Sequence, residues 1–164
     1  MPRTADLVKP AKRPKLLRLL DRWARSVHDQ RQPRTPTGRS VVQGSAIPEP
    51  IIAQLLEMDV FEGLSRSARD RLIEGVFYAH LSEGTEFIKQ GAPAEACYFL
   101  LNGEIAIKND EDLLMLQQGP SIIGLLSVID KQERSASVET FAPCDVVMMP
   151  AEAFDDMMER STVF

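Results

Sequence analysis

Side chains able to do covalent or metal chemistry are few and scattered. Cys97 and Cys144 are the two cysteines of the chain, they lie far apart, and they match no CxxC or metal-ligand spacing. They read as reduced, buried thiols of a cytosolic protein. The two histidines, His28 and His80, do not form the paired-histidine motif of metal-binding β folds and read as surface or packed side chains. No Ser-His-Asp set, phosphate-binding loop or carboxylate pair stands out along the chain. The residues therefore predict neither an enzyme nor a resident metal or cofactor.

Charge is the stronger chemical signal. The 164 residues carry a formal net charge of −5, which by itself argues against nucleic acid as a partner. That total is the sum of two opposed parts. Residues 1–40 hold eleven basic side chains against Asp6, Asp21 and Asp29, a net +8, and residues 41–164 carry −13. A basic arm on an acidic body seeks an anionic surface, an acidic partner, or its own body.

The arm holds one candidate helix, from about Lys15 to His28, bracketed by Pro10 and Pro14 before it and Pro33 and Pro36 after it. Leu16, Leu19, Leu20, Trp23 and Val27 recur at helical spacing, while Lys15, Arg18, Arg22 and Arg25 fall on the other side. Such a stripe can dock on the body, in a partner's groove or on an anionic membrane. The partner-binding residues read from it are Leu16, Leu19, Leu20 and Trp23 with Arg18 and Arg22. An organelle transit peptide is the remaining reading, and the three aspartates weigh against it.

Residues 30–46 are polar and rich in Pro, Gly, Arg and Thr, without periodicity, and read as a linker. The division is thus 1–29 for the arm, 30–46 for the linker and 47–164 for the folded domain, long enough for one real core. No apolar run reaches the ~18 residues of a membrane span, and the N-terminus lacks the apolar region of a secretion signal. The location read from this is cytoplasmic, with the periphery of a membrane complex as the alternative.

Within the domain, Ile51, Leu55, Leu56 and Met58 predict a short helix, and Ser65 and Ser67 offer caps for a second one over Ala68 to Gly75. After Val76 the period changes to two. Strands are expected over Val76 to Leu81, Thr85 to Lys89, Cys97 to Leu101, Glu104 to Lys108, Leu113 to Gln117, Ser135 to Thr140 and Asp145 to Met149, with turn residues between them. A last helix is expected over Ala151 to Arg160. Short strands at this spacing predict a mainly β jelly roll with short flanking helices and a basic N-terminal arm.

The order of these signals resembles the cyclic-nucleotide-binding domain, a regulatory jelly roll (double-stranded β-helix), over about Leu55 to Met158. The motifs that carry the resemblance are Phe61-Glu62-Gly63-Leu64, the stretch Glu83-Gly84-Thr85-Glu86-Phe87-Ile88-Lys89-Gln90-Gly91-Ala92-Pro93-Ala94-Glu95, and Tyr98 to Ile107. Gly119, Ile122 to Ile129 and Gln132 to Val138 complete it, with Gly84, Gly91, Gly103, Gly119 and Gly124 at the family's turns.

The resemblance implies a phosphate pocket. A glycine that opens a short helix lets backbone N–H groups approach an anion, and an arginine about ten residues later can set its planar fork on the phosphate. Gly124, Leu125 and Leu126 would supply the backbone nest, Arg134 the fork and Ser135 a hydroxyl. Removing Arg134 from a water-excluding pocket would cost on the order of 2–5 kcal/mol. The alternative for Arg134 is a structural ion pair with Glu133, Asp130 or Glu139.

Two departures accompany the match. The family's F-G-E carries a glutamate that accepts from the ribose 2′-hydroxyl, and this chain has Ile123-Gly124-Leu125. An unpaired ribose hydroxyl loses roughly 1–3 kcal/mol, or about ten- to a hundredfold in affinity. The family's long closing helix and DNA-binding helices are not expected in the residues after Phe154, which argues against a stand-alone transcription factor of the catabolite-activator type. Two readings result. One is a non-catalytic sensor with a cyclic nucleotide as its ligand, weakly bound, acting through its arm on a protein partner. The other is an accessory subunit with a vestigial pocket, docked into a larger assembly or on a membrane complex.

Overall fold

The computed structural model describes residues 41–161. The expected arm helix and its partner-binding residues Leu16, Arg18, Leu19, Leu20, Arg22 and Trp23 lie outside the described residues.

Among the described residues, nine strands form two antiparallel sheets. The larger contains β1 (Val42–Gln43), β2 (Phe77–Leu81), β9 (Cys144–Pro150), β4 (Ala96–Asn102) and β7 (Ser121–Ile123), in that order across the sheet. The smaller runs β3 (Glu86–Ile88), β8 (Ser137–Thr140), β5 (Glu104–Asn109) and β6 (Asp112–Gln118). This is the expected jelly roll. Gly103, at the β4–β5 turn, has φ 104°, and a Cβ there would lie 2.5 Å from the Pro143 carbonyl oxygen. Glycine is therefore required at this corner.

The two central strands explain the layering. Along β4, Ala96, Tyr98 and Leu100 belong to a core between the two sheets, while Cys97, Phe99 and Leu101 belong to a second core on the other face. Strand β9 does the same, with Cys144, Val146 and Met148 on one side and Val147 and Met149 on the other. An antiparallel strand covered on both faces reads as a nearly continuous apolar run, which is how both strands are written.

Helices close the outer face of the larger sheet. α1 (Glu49–Leu56) starts behind Pro48, carries Pro50 in its first turn where a missing N–H is harmless, and buries Ile51 and Leu55. α2 (Arg66–Glu74) is capped by Ser65, whose hydroxyl accepts from the Ala68 N–H at 3.2 Å, and it buries Leu72. α4 (Ala151–Ser161) contributes Phe154. Between sheet and helices, the Phe61 and Phe99 rings sit 5.1 Å apart at 55°.

Strand β1 falls inside the stretch read as linker, 30–46. It pairs with Phe77 and Tyr78 of β2, and two residues are too few to show a period. The short helix α3 (Leu125–Asp130) opens behind Gly124 as expected. Among the described residues, no helix is long and apolar enough to cross a membrane.

Candidate functional site

The site is built where β7 ends. Gly124 caps α3 with φ 75°, a left-handed conformation that favours glycine. A Cβ there would also collide with the guanidinium of Arg134. The arginine therefore lies flat against a bare backbone, and both the dihedral and the contact ask for glycine at 124.

Arg134 is only 7% exposed. Its Nη1 donates to the Gly124 carbonyl at 2.8 Å, and its Nη2 donates to the carbonyl of Ala96 at the start of β4. The backbone is fixed as well. The Arg134 N–H donates to the Ala92 carbonyl and the Gly91 N–H donates to the Arg134 carbonyl, each at 2.8 Å. This clamps the Gly91–Ala92 turn, with Glu133 bridged to Pro93. Two main-chain oxygens hold the ends of the fork; Glu139, one of the expected ion-pair partners, pairs with Lys108.

Burial lowers the proton affinity of Arg134, and Tyr98, Cys97 and Glu95 oppose that shift. Cys97 is pushed up to about 12 by burial, with the guanidinium opposing, so it remains a neutral thiol. An arginine has five N–H donors, and two are engaged with carbonyls here. A guanidinium held in a low-dielectric setting suits an anion with several acceptor oxygens.

The other residues of the proposed cassette divide. Leu125 is half-buried and packs on the helix-side core. Leu126 and Ser135 are exposed. Gly124 and Arg134 are thus in direct contact, Leu125 and Leu126 follow on α3, and Ser135 stands at the rim.

A second constellation escaped the sequence reading. On the helix-covered face of the larger sheet, Tyr78 OH donates to Asp145 Oδ1 at 2.7 Å and His80 Nδ1 lies 2.9 Å from the same oxygen. Asn102 donates to Asp145 Oδ2 at 3.1 Å and to Gln54 Oε1 at 2.7 Å. Burial alone would raise the Asp145 carboxyl, but its bonds with His80, Tyr78 and Asn102 bring it below the ordinary value. The same burial and the carboxylate push the Tyr78 phenol up. The β2–β9 register sets His80 opposite Asp145, and the only sequence signal was the Tyr-x-His alternation in β2. Among the described residues no group of three His, Cys, Asp or Glu side chains could hold a metal ion.

Comparison with known proteins agrees with this fold. No curated protein sequence matches the chain. Among solved structures, the sensor domain of the transcriptional regulator DNR from Pseudomonas aeruginosa superposes with a TM-score of 0.60 at 21% identity, over 66% of this chain and 80% of that one. The regulatory domain of Toxoplasma gondii PKA, solved with cAMP, gives 0.59 at 18% identity over 66% of this chain and 44% of that one. The C-linker/CNBHD of zELK channels gives 0.59 at 21% identity over 90% and 79%. The sequence profile of the cyclic nucleotide-binding domain matches residues 78–161, from β2 through α4 and across the whole Gly124–Arg134 site. The chain belongs to the cyclic nucleotide-binding domain family.

Proposed function

We propose that this domain is a non-catalytic regulatory sensor that takes the phosphate of a cyclic nucleotide at Gly124 and Arg134, with altered and weak affinity, and passes the signal to a protein partner through its basic arm. The observation that carries the reading is the buried Arg134 fork lying on the backbone of Gly124, inside the family's matching segment. Weak binding follows from Leu125, which offers no acceptor to a ribose hydroxyl.

Titration calorimetry of the full chain with cyclic AMP and cyclic GMP tests it. The expected result is saturable micromolar binding that Arg134→Ala abolishes while the variant still melts cooperatively. Silence with both nucleotides overturns the sensor.

The second reading, an accessory module whose pocket no longer takes ligand, is favoured by one specific observation. Arg134 already has carbonyl partners, so the fold uses it as an internal tie. Under that reading Arg134→Ala lowers stability and no nucleotide changes the melting temperature of the parent chain.

A further inference from the structure

Strand β6 pairs with β5 along one side and ends its sheet, with no strand beyond it among the described residues. Edge strands are ordinarily kept from pairing with another chain by shortness, charge, proline, a bulge or a covering segment. From Leu113 to Gln118 there is neither charge nor proline. The bulge stands near the acidic end, where the register skips Leu114, and Met115 to Gln118 run in unbroken register with Ile107 to Glu104. Leu113, Leu114, Met115 and Leu116 are 55%, 59%, 51% and 42% exposed.

These side chains are not confined to one face of the sheet. Ile105 and Ile107 turn to the core between the sheets, so Gln117 and Met115, opposite them, share that side. Leu116, opposite Ala106, stands on the other. A helix laid on either face would leave the rest in water. A further strand hydrogen-bonded to the free edge covers both faces, because its own side chains alternate in the same way.

The sequence of β6 is its own complement. Run antiparallel about Met115, two copies set Leu114 opposite Leu116 and Leu113 opposite Gln117. Asp112, Glu111 and Asp110 then fall opposite Gln118, Gly119 and Pro120 of the other copy, so acid nowhere sits opposite acid. A parallel pairing would stack the acids on one another, and like charges directly opposite are destabilising. We propose that β6 is a homodimer edge, along which a second copy of this chain adds its own β6 antiparallel about a two-fold axis at Met115. Two four-stranded sheets thereby become one continuous sheet. The inference does not depend on the nucleotide pocket.

Sedimentation velocity of the full chain is expected to show a monomer–dimer equilibrium, the dimer growing from micromolar to submillimolar protein as suits a small interface. Met115→Lys sets two cations opposite each other on the axis. This variant is expected to stay monomeric over the same range with unchanged far-UV circular dichroism. Met115→Cys faces its own copy where antiparallel Cα atoms lie about 4.5–5.5 Å apart, a separation that a disulfide can span. Under mild oxidation it is expected to cross-link many-fold faster than Phe141→Cys, at another exposed apolar position. A parent chain that stays monomeric throughout overturns the proposal. So does a dimer that Met115→Lys leaves intact, or one in which Met115→Cys cross-links no faster than Phe141→Cys.

Discussion

At position 125 a side chain serves the core where the family's motif would place a ligand contact. Leu125 packs toward the helices, and a glutamate there would exchange apolar burial for an acceptor facing the pocket. Leu125→Glu is expected to tighten cyclic AMP binding about ten- to a hundredfold. The same variant loses about 1–2 kcal/mol of stability, part of what a fully buried leucine contributes. Calorimetry and a denaturant melt on one preparation read both. Asp145 makes a prediction of opposite kind. Its folded-state pKa is depressed by donors from His80, Tyr78 and Asn102, so its contribution is present above the ordinary carboxylate value of about 3.9. It is lost as pH falls through the folded value. Asp145→Asn is expected to cost about 1–3 kcal/mol at neutral pH, and the gap from the parent is expected to close in melts taken below about pH 4.

Strands were legible wherever one face meets the core and the other meets water, and Phe77–Leu81 or Ser137–Thr140 differ from the expected bounds by a residue or two at their starts. Elements that depend on distant neighbours were less so. β1 is a strand because β2 offers it an edge, and β4 and β9 are apolar on both faces because helices cover the sheet. In the candidate site, the family resemblance pointed to Gly124 and Arg134, and the left-handed turn at 124 leaves its mark in sequence as a glycine. The carbonyl partners of the fork left none, because the Ala96 oxygen is brought there only by the packing of β4. Likewise Tyr78 and Asp145 lie 67 positions apart and meet through register alone. The contrast between central and edge strands is measurable. Phe99→Ala, in β4, is expected to cost about 3–5 kcal/mol in a denaturant melt. Leu114→Ala, in β6, is expected to stay within about 0.5 kcal/mol.

Across the whole molecule, charge divides into +8 over residues 1–40 and −13 over residues 41–164, the part that holds the candidate site. The body itself is two cores sharing two strands. One cysteine belongs to each, Cys144 between the sheets and Cys97 beneath the helices, and burial raises the pKa of both thiols. Neither can be alkylated or exchanged until its core opens, since the reacting species is the thiolate and access is required. Because β4 and β9 contribute alternate residues to both cores, losing either strand opens both. The two thiols are therefore expected to react with a labelling reagent at one common rate under native conditions, as mass spectrometry of the labelled peptides would show. Faster labelling of Cys97 would mean that the helical layer peels away on its own. The paired cysteines thus act as two clocks inside one molecule, and their agreement measures whether it breathes as a single unit.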